Sequence, residues 1–476
     1  MTHILPAGGA EKLTARFGED GLAQPRMPAA AWAVAEVGAA GLGDARRAAR
    51  LATLVSDLAA RPDVGIPAAC ATPAATKAAD RWLANDAVTP EAILAAHITA
   101  TAERSGGEAV LLAVQGTTAL DFSAQPALAG AGPLAHPAHS GLVVQSVLAV
   151  SADGVPLGLL HQHSWARDPA TTGARHTRRQ RPTAAKESQR WLDGQAAIAD
   201  VVPAAVPVLT GADREADVCD LFAQSRPSHH ELLIRAAHNR RIGEETRQPW
   251  TAARAAPGGA VVPVAVGRGG ARPPRHRAAR AALPPVPVTA VLAEEPWPPP
   301  GEAPVCWLLL TTRPVAGGEA ALACVRWYAQ RWLVERFHDV LKSGCRIEAL
   351  RLRTTARLER ALALSATVAW RLLWLAHLAR ADPDQPCTVA LTTVEWQVAH
   401  AATQRHAPLP SQPPPLGQAV RWIARLGGWL DRAGDGEPGA KVLWRGLRRL
   451  DDLVLGRRLA HGLPPAPPPP GVVGNA

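Results

Sequence analysis

Residues 327–342 read W-Y-A-Q-R-W-L-V-E-R-F-H-D-V-L-K. At about 100° per residue, Tyr328, Arg331, Glu335 and Lys342 fall at about 0°, 300°, 340° and 320°, inside an arc of roughly 60°. A single helix face therefore carries a carboxylate beside two cations and a phenol. A carboxylate binds a hard metal ion, and Arg, Lys and Tyr hold phosphate oxygens through charge-assisted hydrogen bonds. Phosphodiester chemistry suits that set. A solvated face with incidental charge pairing is the competing account of four polar residues taken alone.

Composition bounds the alternatives. The chain has 476 residues, enough for two or three domains, and its 47% hydrophobic content is that of a globular protein. With 51 basic against 41 acidic residues, the formal charge of +10 favours a polyanionic partner such as DNA. Five of the basic residues are lysines, leaving 46 arginines in a chain also rich in Ala, Gly and Pro, a bias expected of a GC-rich genome. Against it, the lone tyrosine, Tyr328, and the rare Lys342 stand out because both are in register with Glu335.

Cys70, Cys219, Cys306, Cys324, Cys345 and Cys387 form no C-x2-C pair and read as buried or free thiols of a reducing cytoplasm. No cationic segment followed by an apolar run opens the sequence, so no secretory leader is expected. The apolar stretch Ala361–Ala379 is interrupted by Arg371 and His377, as expected of a core helix rather than a membrane span. No G-x4-G-K-[ST] loop is present, which argues against ATP-driven chemistry.

Strand signals occupy the middle of the chain. A-V-L-L-A-V from Ala109, L-V-V-Q-S-V-L-A-V from Leu142 and V-P-L-G-L-L-H from Val155 predict three neighbouring strands. V-P-V-L-T-G-A-D from Val206 predicts a fourth, ending at Asp213 where a helix begins. Asp213 is then a strand-end metal ligand or a helix cap, whereas Glu215 and Asp217 read as first-turn helix charges. Asp44 is placed to cap a helix whose first turn presents Arg46, Arg47 and Arg50. A Pro-, Gly- and Arg-rich stretch from about 241 to 303 contains R-G-G-A-R-P-P-R-H-R-A-A-R and reads equally as a phosphate-gripping insertion or a linker. Beyond Arg380 the chain reads as irregular, then as a helical segment with Trp422, Trp429 and Trp444, and from Pro464 as an unfolded tail.

The spacing Tyr-x2-Arg-x3-Glu-x6-Lys resembles the signature of the insertion sequence four family of bacterial DDE transposases, and in particular its transposon-five type. V-L-T-G-A-D-R-E-A-D from Val208 resembles the family's second acidic motif. Further resemblances follow in the same order: G-L-V-V-Q-S-V-L-A-V from Gly141, G-L-L-H-Q-H-S-W from Gly158, K-E-S-Q-R-W from Lys186 and W-L-L-L-T-T from Trp307. L-G-D-A-R-R-A-A-R from Leu42 and I-A-R-L-G-G-W from Ile423 extend the likeness over nearly the whole chain. T-K-A-A-D-R-W-L-A-N from Thr76 also resembles a family element, with Asp80 where an aromatic residue is usual.

The resemblance implies an α/β fold. A ribonuclease H-like catalytic core at 76–380, with a β-rich insertion at 241–303, would be flanked by a helical DNA-binding region at 1–75 and a helical dimerisation region at 381–476. It implies Asp213 and Glu335 as catalytic ligands of Mg²⁺ or Mn²⁺, and Tyr328, Arg331 and Lys342 as phosphate holders. Arg46, Arg47 and Arg50 become end-binding residues. Trp307 becomes a platform for a flipped base, with a core tryptophan as the competing account. The implied activity is cut-and-paste transposition by a homodimer on double-stranded DNA. One position departs from the pattern: the family's first acidic residue follows the Gln of a Q-D-T-T motif, and this chain has Gln115, Gly116, Thr117 and Thr118. A two-metal centre short of a shared carboxylate is impaired, which leaves a DNA-binding remnant or competitor as the alternative function. Asp121 lies five strand residues on, about 17 Å away and on the opposite face, too far to substitute.

Overall fold

The computed structural model describes residues 29–462, apart from 172–180, 239–261, 267–285 and nine scattered positions (63, 71, 137, 296, 299, 300, 382, 433 and 434). Helices α1 (Ala29–Val37), α2 (Ala45–Ala60), α3 (Ile66–Ala69), α4 (Pro73–Leu83) and α5 (Pro90–Ser105) come first. Their starts are written locally. The Asp44 carboxylate accepts from Arg46 N at 2.8 Å, and Thr72 and Thr89 cap α4 and α5 ahead of a proline at N1.

The central sheet follows. It contains β1 (Leu111–Asp121), β2 (Gly132–Pro133), β3 (Ser140–Ser151) and β4 (Pro156–Trp165). After α6 (Gln189–Val201) come β5 (Val208–Ala212), α7 (Cys219–Ala223) and β6 (His230–Arg235). The sheet is completed by β7 (Val262–Val266), β8 (Val286–Glu294) and β9 (Cys306–Thr311). Strand order is β2-β3-β1-β5-β6-β9-β8-β7, with β4 on β3. Strands β1, β5 and β6 are parallel, and antiparallel strands flank them on both sides. All four predicted strands are present. Of the 241–303 stretch, β7 and β8 form a hairpin on the sheet edge, while the basic run from Arg268 lies outside the described residues.

Helices α8 (Gly317–Ala329) and α9 (Trp332–Asp339) lead into a π turn at Val340–Gly344. Then α10 (Thr355–Ala381) crosses the core. Its segment Thr355–Leu378 is long and apolar enough to span a bilayer, but 89% of its most apolar window is buried inside the protein, as a core helix requires. The C-terminal part is more regular than its sequence suggests. Helix α11 (Thr393–Thr403) opens on a Thr392/Glu395 capping box, followed by α12 (Leu416–Leu426) and α13 (Ala440–Ala460). The segment from Pro464 lies outside the described residues.

The N-terminal helices are welded to the sheet by a buried polar cluster. Arg104 of α5 donates to both oxygens of Glu36 at 2.9 Å and to Leu157 O at 2.7 Å. His97 Nδ1 donates to Glu36 Oε1 at 2.5 Å while its Nε2 accepts from Leu159 N at 3.0 Å, which fixes a neutral imidazole. The Arg104 guanidinium also lies 4.3 Å from the centre of the Trp370 ring. Asp80, where the family has an aromatic residue, accepts from Arg357 of α10 at 2.9 Å, so an ion pair joins α4 to the core there.

Candidate active site

The site forms where β5 ends beside the middle of β1, beneath α9. Parallel pairing runs from Leu111 with Val208 to Val114 with Gly211, so two residues further on Gly116 and Asp213 stand level on adjacent strands. Asp213 lies just past β5 and caps a short 3₁₀ turn, its carboxylate accepting from Glu215 N at 2.9 Å. Ser146, the antiparallel partner of Gly116, hydrogen-bonds His338 Nε2 at 3.1 Å. One turn earlier on the same helix face, Val334 lies over Gly116 with no exposure. Glu335 is the next residue of α9, and its carboxylate pairs with Arg331.

Residues 327–342 do not form one straight helix. Gln330, Arg331, Leu333 and Val334 donate to carbonyls three residues back, tightening the chain between α8 and α9, and the π turn then widens it. The cause is packing: Val334 and His338 must meet β1 and β3, which fixes the roll of α9. The tight turn keeps Tyr328, Arg331 and Glu335 together. The Arg331 guanidinium lies 5.7 Å from the centre of the Tyr328 ring, and its NH1 donates to Glu335 Oε1. Trp307 meets Tyr328 edge to face at 5.0 Å between ring centres and is half-buried. The π turn places Lys342 where its charge acts on Asp121 and on His338, whose burial drives its imidazole down to about 3.

The electrostatics are those of an anion site with one paired carboxylate. Burial pushes the Tyr328 phenol up, against the pull of Arg331 and Arg235. For Arg331, burial is outweighed by Glu335, Tyr328 and Asp213, which hold its guanidinium above the usual range. The Tyr328 hydroxyl, Arg331 Nε and Glu335 Oε2 are buried with no protein hydrogen-bond partner. These three atoms belong to side chains that Arg331 holds together.

Two features were not legible in the sequence. Arg190, in K-E-S-Q-R-W, donates through Nε to Thr117 Oγ1 at 2.9 Å and through NH2 to Glu215, and its charge also acts with Asp213. It borders a cleft of about 710 Å³ of mixed charge, where Arg167, Lys186 and Arg214 line the wall together with Glu187 and Glu215. Asp217 is not a first-turn helix charge. It is 2% exposed and accepts from Ala237 N at 2.8 Å and His238 N at 3.1 Å, anchoring the end of β6.

Asp121 is occupied elsewhere, as its place on the strand implies. It accepts from Ser123 Oγ at 2.5 Å and pairs with His139 at 3.1 Å. In the N-terminal region Arg46 points outward and pairs with Asp44, whereas Arg47 donates to Leu42 O at 3.1 Å and Arg50 is half-buried. All six cysteines are free thiols.

A mixed sheet in which Asp213 stands just past parallel strand β5, level with Gly116 within β1 and packed by α9, which also carries Glu335, has the arrangement of a ribonuclease H-like core. Family models match three successive parts of the chain: transposase DNA-binding over residues 29–88, transposase DDE domain over 170–371, and transposase Tn5 dimerisation domain over 367–464. The chain belongs to the Tn5-like DDE transposases of the insertion sequence four family. The DDE match takes in Asp213 and Glu335 and begins beyond β1, so Gly116 lies outside it.

DDE transposases work through divalent metal ions, and the residues here do not fit a full centre of that kind. The unpartnered Glu335 Oε2 is a suitable cation ligand, but Oε1 is taken by Arg331. Among the described residues no group of three or more Asp, Glu, His or Cys side chains is placed to hold a metal. At the third position stands Gly116, and a Cβ built on it meets Val334 Cγ1 at 2.5 Å.

Proposed function

We propose that this chain is a cut-and-paste transposase by descent that still binds and pairs the terminal repeats of an insertion element in the bacterial cytoplasm but has lost strand cleavage at Gly116. The observation that carries the reading is the contact just given. The glycine is not an empty seat in an otherwise open site, because Val334 fills the volume beside it. If the missing carboxylate withdraws about 4 kcal/mol of transition-state stabilisation, cleavage slows roughly a thousandfold.

The remaining machinery supports DNA binding. Arg331 Nε and the Tyr328 hydroxyl are unmatched donors suited to phosphate oxygens, and Trp307 braces the Tyr328 ring. In the adjoining cleft Lys186 and Arg214 stand beside the Arg167–Glu187 and Arg190–Glu215 pairs and would meet phosphates without reading sequence. Lys342 supplies a further phosphate contact one turn beyond α9, and Arg46, Arg47 and Arg50 grip the ends from α2. Asp213 and Glu335 are the catalytic and metal-ligating pair that the chemistry retains, with Mg²⁺ or Mn²⁺ as the natural ion.

The test is strand cleavage on duplexes bearing the element's own terminal repeats, in Mg²⁺ and in Mn²⁺, comparing the unmodified protein with its Glu335→Gln variant. The two are expected to cleave equally poorly, since the step is already disabled. Cleavage by the unmodified protein at least a hundredfold above the variant would overturn the reading.

A further inference from the structure

Resting on that reading, we propose that Gly116 and Val334 form a steric pair, and that the metal centre is recovered only when both are changed. A Cβ at position 116 would stand 2.5 Å from Val334 Cγ1, 3.1 Å from Cγ2 and 3.4 Å from Cβ. The first is an overlap, the second a tight contact, and the third an ordinary one. The obstruction therefore consists of the two valine methyls, not of the helix backbone.

Neither a rotamer change nor a helix shift clears it cheaply. Valine on a helix is held in one dominant χ1 well, and Val334 is fully buried. Withdrawing α9 would break the buried His338–Ser146 hydrogen bond one turn away. It would also carry off Glu335, the carboxylate that a restored ligand would have to meet. Truncating Val334 to alanine leaves its Cβ at the permitted 3.4 Å and opens the volume from within.

Two double-mutant cycles on the full-length protein test the pair. In the first, thermal unfolding is compared for Gly116→Ala in the native and Val334→Ala backgrounds. The substitution is expected to lower Tm by several degrees in the first background and to leave it nearly unchanged in the second. Equal shifts in both would overturn the proposal, and this cycle decides even where an aspartate variant fails to fold.

In the second, Mn²⁺ binding is followed by electron paramagnetic resonance for Gly116→Asp, Val334→Ala and the double variant. The double variant should bind Mn²⁺ at least tenfold more tightly than either single variant. Equal affinity in Gly116→Asp alone would overturn the steric pair while leaving the loss of cleavage standing. Cleavage by the unmodified protein would remove the loss of function itself.

Discussion

Replacing Glu36 by glutamine should loosen the N-terminal region from the central sheet. The side chains of Glu36, His97 and Arg104 have no solvent exposure. The substitution leaves the Arg104 guanidinium buried with Leu157 O and Thr101 Oγ1 but without its counter-charge. Breaking a buried ion pair from one side costs about 3–5 kcal/mol, because the remaining charge is uncompensated. Burial pushes the Glu36 carboxyl up, but the Arg104 charge and the His97 hydrogen bond outweigh it and hold the group below its ordinary 4.5. Its contribution is therefore fully present above pH 4.5 and lost as pH falls through the lower folded value. His97, which burial keeps below its ordinary 6.5, acts in the same direction, so stability should decline as pH drops below about 6.5. Urea unfolding at pH 7.5 measures the cost, and limited proteolysis should release the segment before α5. Because α1 lies in the region matched as DNA-binding, affinity for DNA ends should fall too. A cost under about 1 kcal/mol with an unchanged digestion pattern would refute the idea that this cluster joins the two regions.

Further outcomes follow from single side chains. Arg331→Ala removes the proposed phosphate donor and frees the Glu335 carboxylate, so fluorescence anisotropy should show DNA-end affinity about tenfold weaker, with the salt slope reduced by about 1. Asp451 on α13 is raised to about 7, chiefly by burial and then by the nearby Glu395. The associated stability is fully present below its unfolded pKa near 3.8 and lost as pH rises through about 7. Asp451→Asn should therefore raise Tm at pH 8 and leave it unchanged at pH 3.5.

Much of this was legible because it is local or periodic. The apolar runs before Asp121, Ser151 and Trp165 are strands, and Asp213 falls at a strand end because V-P-V-L-T-G-A is an apolar run stopped by a cap. The break after Ala329 was not, since no proline or glycine marks it. It is set by the fit of Val334 and His338 onto β1 and β3. Arg190 and Thr117 are 73 residues apart, and Glu36 and Arg104 are 68 apart, so their pairing leaves no trace in a local pattern. The glycine at 116 could be read as a missing ligand. That valine methyls would take its space required the packed helix.

The most direct test isolates the complex formed by the unmodified protein with duplexes carrying the element's terminal repeats, in Mg²⁺, and asks what state the DNA is in. We expect a complex holding two DNA ends whose strands remain uncut over hours, with end pairing intact and chemistry absent. Nicked or hairpin-ended DNA in that complex would contradict the account, because the site would then be cutting without a carboxylate at position 116.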